Sequence, residues 1–95
     1  MKIVSHNQLE VDDEFIKICK LIEIDRKTDD EWSKIESSDM FQSEKYCGGY
    51  ESIEQEFCFS YFAPEGREWW FQVSIEDVHK IVAGELRYLD LHEPL

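Results

Sequence analysis

The chain of 95 residues has the length of one compact domain, and with 42% hydrophobic and 14% aromatic residues it carries enough apolar surface to fold. Its 22 acidic and 10 basic residues leave a formal net charge of −12 and an isoelectric point near 4.5. That balance argues against nucleic-acid binding, which needs clustered cations to displace phosphate counterions, and against docking on an anionic membrane; it favours a basic partner.

The stretch Met1 to Glu10 has one Lys and no apolar core of the kind a secretory signal needs. No run approaches the roughly 18 apolar residues of a membrane span. The three cysteines, Cys19, Cys47 and Cys58, match no zinc or redox spacing. A reducing, cytoplasmic address is therefore expected, with the cysteines free. No repeat, low-complexity tract or Pro/Gly-rich linker divides the chain, so residues 1–95 are expected to form a single domain.

In chain order, the first periodic signal is Val11, Phe15, Ile18, Cys19 and Ile22, whose spacing predicts one face of a helix over about 12–24. Asp12 suits its N-cap, and Asp13 and Glu14 meet the positive end of its dipole. Thr28 and Glu31 form a capping box that starts a second, short helix near 29–37 with Trp32 and Ile35 as its apolar anchors.

Residues 46–73 read as antiparallel sheet. Phe57, Phe59 and Tyr61 alternate with Glu56, Cys58, Ser60 and Phe62, and Trp69, Phe71 and Val73 alternate with Glu68, Trp70 and Gln72. Pro64-Glu65-Gly66 between them suits a three-residue loop, which would pair Tyr61 with Trp69, Phe59 with Phe71 and Phe57 with Val73 in a hairpin over 55–62 and 67–73. A two-residue loop would mismatch the faces. A third, weaker strand is expected near 46–53, interrupted by a bulge or turn at Gly48-Gly49.

Ser74 and Asp77 make a second capping box, and Ile75, Val78, Ile81 and Val82 form the apolar face of a helix over about 75–83, stopped by Gly84. Leu86, Tyr88, Leu89 and Leu91 are too apolar for a free tail and should return to the domain as a short strand or packed coil. The fold class is α+β: a small antiparallel sheet packed against helices.

Chemistry is sparse. His6, His79 and His92 show neither a nucleophile–base nor a metal-ligand spacing. Among the thiols, Cys19 falls on a core helix face and Cys58 among acids. Cys47, beside two glycines and near Lys45, is the one candidate for an activated nucleophile. Acidic pairs that a glycosidase would use can be drawn on paper, but a solvated acidic face explains them better. No catalytic residue, metal site or cofactor is expected.

The unusual feature is aromatic surface next to acid. Trp70 and Phe62 share the second face of the hairpin with Glu56 and Glu68, and Glu51, Glu54 and Glu65 lie nearby. Two readings stand: a second layer, such as the short helix with Trp32, covers these rings, or they form a hot spot that recognises a cationic protein. On the second reading Trp70, Phe62, Glu51, Glu54, Glu56, Glu65 and Glu68 are the partner-binding residues.

The aromatic hairpin Phe57-Cys58-Phe59-Ser60-Tyr61-Phe62 with Trp69-Trp70-Phe71, running into the capped helix Ser74-Ile75-Glu76-Asp77-Val78 of a small acidic chain, resembles bacterial immunity proteins of the contact-dependent-inhibition and polymorphic-toxin kind. The resemblance is one of general character and assigns no residues. It implies a cytoplasmic protein that binds one cognate toxin domain, usually a nuclease, and has no catalysis of its own. A phage-type inhibitor that mimics nucleic acid, and a small enzyme or ligand-binding domain with a site between sheet and second helix, are the alternatives.

Overall fold

The structure, a computed structural model, describes residues 8–35 and 40–93. Its elements run β1 (Gln8–Glu10), α1 (Asp13–Asp25), α2 (Asp29–Lys34), β2 (Phe41–Gln42), β3 (Tyr46–Glu51), β4 (Glu56–Phe62), β5 (Glu68–Val73), α3 (Ile75–Val82) and β6 (Tyr88–Asp90). β2 to β5 form an antiparallel sheet in sequential order, and β1 pairs with β6 in a separate ribbon. The class is α+β, as the patterning predicts. The second helix ends sooner than expected, at Lys34, with Ile35 as its C-cap and exposed to solvent where an apolar anchor is expected; expectations on His6 and on residues 36–37 fall outside the described residues.

The helix starts are written locally. Asp12 accepts the amide of Phe15 at 3.0 Å, and both capping boxes are closed, Thr28 with Glu31 and Ser74 with Asp77. The hairpin has the expected register: Tyr61 faces Trp69, Phe59 faces Phe71 and Phe57 faces Val73. Its loop is closed by the Gly66 amide donating to the Ala63 carbonyl at 2.9 Å, with Gly66 at φ +88°, a conformation that costs a side chain dearly.

Apart from Trp70 and Phe62, the large rings of the sheet sit on one side of it. Phe15 of α1 lies 5.1 Å from Phe59, 5.2 Å from Phe71 and 5.1 Å from Tyr46, centroid to centroid. Trp32 of α2 meets Phe57 edge-on at 5.1 Å and stacks on Tyr50. Trp32 therefore belongs to the first face, and the reading in which it covers Trp70 and Phe62 is corrected. α3 packs against α1 on that same side, where Val78 and Ile81 are buried. Leu9 and Leu89, paired across the β1–β6 ribbon, join this core.

The strand β3 also differs from expectation. Gly48 and Gly49 make no bulge or turn; they sit in unbroken register opposite Phe59 and Cys58. The reason lies across the sheet. A methyl group built on Gly48 would overlap the Cys58 carbonyl oxygen, 2.6 Å from Cδ1 of Phe59 and 2.8 Å from its Cα. The glycine leaves the space that the Phe59 side chain occupies beside β3, and Phe15 meets that ring at right angles.

A polar link fastens α1 to the start of the sheet. Lys45 Nζ donates to Asp12 at 2.7 Å, the Lys45 amide donates to Glu14 at 2.9 Å, and Ser43 Oγ donates to the same Glu14 oxygen. Burial pushes the Asp12 carboxyl up, but its bonds with Lys45 and with the Phe15 amide outweigh that and hold it below its usual 3.8. The Ser43 hydroxyl and the Lys45 amide hold Glu14 below its usual 4.5.

Two outcomes follow from this geometry. Gly48→Ala should cost at least about 2 kcal/mol in urea unfolding, because the backbone beneath it cannot yield; an unchanged midpoint would refute the close approach. Carboxyls with lowered folded pKa contribute stability that is full above the ordinary carboxylate range and is lost as pH falls through their folded values. Asp12→Asn retains a capping side chain but forfeits the charge pair. The variant should be less stable than the parent at pH 7 and lose less stability between pH 7 and pH 3.

Candidate functional site

The second face of the sheet carries a step in height. The β3 and β4 strands present Cys47, Gly49, Cys58 and Ser60 there, all small, while β5 presents Trp70 and Gln72. Ser60 lies directly opposite Trp70, and Cys58 opposite Gln72. The result is an open concavity of about 380 Å³ with Cys58 and Ser60 on its floor, Trp70 and Gln72 as one wall and Glu51, Glu54 and Glu68 around it. None of its lining residues is Lys or Arg. The core anchors of α1 and α2 all point to the first face, so no described helix covers it.

The structure thus brings together Trp70, Glu51, Glu54 and Glu68 of the residues expected at a partner surface. The other three lie apart. Glu56 is opposite Glu51 but lines a neighbouring slot with Asp77 and Asp90, Phe62 sits 46% exposed at the far end of β4, and Glu65 is at the exposed hairpin turn. Parity assigned the correct face to Glu56 and Phe62; position along the strand separated them from the concavity.

Trp70 is held by a segment that sequence reasoning left without a role. Its amide donates to the His92 carbonyl at 3.0 Å, the His92 amide donates back at 2.8 Å, and the indole Nε1 donates to the Glu93 carbonyl at 2.9 Å. The His92 imidazole lies 4.6 Å from the indole, tilted by 33°. Glu93 also approaches Arg67, at 3.6 Å. His92 and Glu93 thereby extend the sheet past β5 and fix the Trp70 side chain at the concavity. The apolar residues Leu86, Tyr88, Leu89 and Leu91 are the sequence signal that this stretch returns to the fold, and of these Leu89 and Leu91 are buried.

The thiols, Lys45 and His79 are placed as follows. Cys47 lies in regular strand opposite Ser60, not in a flexible loop, and the nearby Lys45 ammonium is engaged by Asp12. The Cys19 thiol is pushed up to about 12, first by burial and then by Glu23. Cys58 is likewise raised, by burial and then by the negative charges of Glu51 and Glu54. His79 is exposed, 3.0 Å from Glu23, and joins α3 to α1. Among the described residues, no group of three His, Cys, Asp or Glu is disposed to hold a metal ion, and no helix is long and apolar enough to cross a membrane.

No protein-family model, no curated protein and no solved structure matches the chain. The concavity has to be interpreted from its own chemistry.

Cys58 offers a probe of that chemistry. Its raised pKa leaves little thiolate near neutrality, and the thiolate is the reactive form. At pH 8, alkylation of Cys58 by iodoacetamide, mapped by mass spectrometry, should run more slowly than that of a free thiol. Glu51→Gln combined with Glu54→Gln should speed it. Equal rates in parent and variant would mean that these carboxylates do not set the potential over the floor.

Proposed function

We propose that this chain is a non-catalytic protein-binding module that docks a basic protein on the open face of its sheet, and that the partner is a toxin domain, a nuclease foremost, which it neutralises one to one. The observation that carries the proposal is the concavity itself: an anchored Trp beside three carboxylates, on the side of the sheet opposite the described helices. A fixed aromatic ring in an apolar hollow with a charged rim is the composition of an interface hot spot. The charge of −12 supplies the long-range part, since a field of one sign speeds encounter with a cationic surface. The protonated Cys58 thiol and the engaged Lys45 support a role in binding over one in catalysis. The general resemblance to toxin-immunity proteins points to the same class of partner, and a cytoplasmic address fits it.

The test starts from the protein carried by the source cell that co-purifies with this chain, identified by mass spectrometry and then purified. It should be basic, bind with one-to-one stoichiometry, and associate at up to the order of 10⁸ M⁻¹s⁻¹ at low salt. Between roughly 20 mM and 0.5 M salt the association rate should fall by at least about tenfold as the Debye length shrinks. The triple variant Glu51→Gln, Glu54→Gln, Glu68→Gln should associate at least about tenfold more slowly while melting like the parent. A rate indifferent to salt, or an acidic partner, would sink the proposal.

A further inference from the structure

We infer that the concavity seats an arginine side chain of the partner, its guanidinium lying on the open face of the Trp70 indole and directed toward Glu51, Glu54 and Glu68. The inference rests on the reading of this face as a docking surface for a basic protein.

The way Trp70 is held decides what it can offer. Its indole N–H is spent on the Glu93 carbonyl at 2.9 Å, so the ring brings no hydrogen-bond donor to an incoming group. One of its faces is occupied by the His92 imidazole at 4.6 Å. His92 does not line the concavity, whereas Trp70 does. What remains on the concave side, among the described residues, is π surface, whose negative quadrupole attracts cations. The two backbone bonds to His92 keep the ring in place before any partner arrives, which lowers the ordering cost of binding.

The rest of the concavity has the matching sign. Three carboxylates surround it and, among the described residues, no Lys or Arg lines it. The small floor residues Cys58 and Ser60 leave the space into which a long side chain can reach. That the Cys58 thiol is raised in part by Glu51 and Glu54 agrees with a negative potential over the floor.

Among cations the geometry favours arginine over lysine. A planar, weakly hydrated guanidinium stacks on an indole and still presents paired N–H donors at its edge to carboxylate oxygens. A lysine ammonium is a compact, strongly hydrated point and forfeits more on leaving water. Neutral or anionic groups gain nothing from this arrangement.

The experiment uses the full chain labelled with ¹⁵N and three capped tripeptides, Gly-Arg-Gly, Gly-Lys-Gly and Gly-norleucine-Gly, titrated into it at low salt. The arginine peptide should move the Trp70 indole N–H and the amides of Cys58, Ser60 and Gln72, with saturation in the millimolar range. Its affinity should exceed that of the lysine peptide by at least about threefold, and the norleucine peptide should leave these signals in place. Glu51→Gln with Glu54→Gln should weaken the arginine peptide several-fold, and His92→Ala should weaken it without changing the charges around the concavity. Equal shifts from all three peptides, equal affinity for arginine and lysine, or arginine shifts confined to the helices would overturn the arginine seat. If the seat fails while the triple glutamine variant still slows the natural partner, the docking surface stands without it; if that variant has no effect either, both fall.

Discussion

The contact on which the fold depends is the seating of Phe15 in the aromatic floor of the sheet. One ring of α1 touches Tyr46, Phe59 and Phe71, which belong to three successive strands. Losing a fully buried Phe typically costs about 3–5 kcal/mol, a large share of the roughly 5–15 kcal/mol that holds a domain together. The Asp12 and Glu14 bonds to the Ser43–Lys45 turn act at the same end of α1, so the helix is positioned by a polar clamp and an apolar peg. Gly48 is the accessory of that peg: any side chain there would collide with the Phe59 ring that Phe15 packs against.

This contact also explains why the two faces of the sheet differ. A chain this short has one core, and here the three described helices serve the same face of the sheet. The opposite face is left with small side chains on β3 and β4, which saves apolar area that would have to meet water. Trp70 and Phe62 are the exceptions, and the cost of Trp70 is reduced by His92 and Glu93, which cover one ring face and satisfy the indole N–H. The same residues pair with the outer edge of β5 at Trp70, blunting a strand edge that would otherwise invite another chain.

How much of this can be read from the residues depends on the range of the interaction. Helix starts such as Thr28 with Glu31 and Ser74 with Asp77 are settled within four residues, and the hairpin register follows from loop length and alternation; both are legible. Gly48 is misread as a bulge because its reason, the Phe59 ring, comes from the next strand. The side on which Trp32 lands is not encoded in α2 itself, since a six-residue helix with one large anchor fits either face of a sheet. Of the binding surface, alternation identifies Trp70 and Glu68 as sharing a face, with Glu51 and Glu54 only nearby. It cannot separate them from Glu56 and Phe62, which obey the same parity, nor reveal that His92, 22 positions along, completes the Trp70 environment.

The step in height on the second face separates two kinds of residue that many small domains must combine. Cys58, Ser60, Glu51, Glu54 and Glu68 contribute nothing to the stack beneath Phe15, and side chains there can change size or sign while the core stays as it is. Natural variation can therefore work on the outward face almost as on a separate molecule. A chain so divided is free to diverge quickly in what it displays, at little risk to its ability to fold.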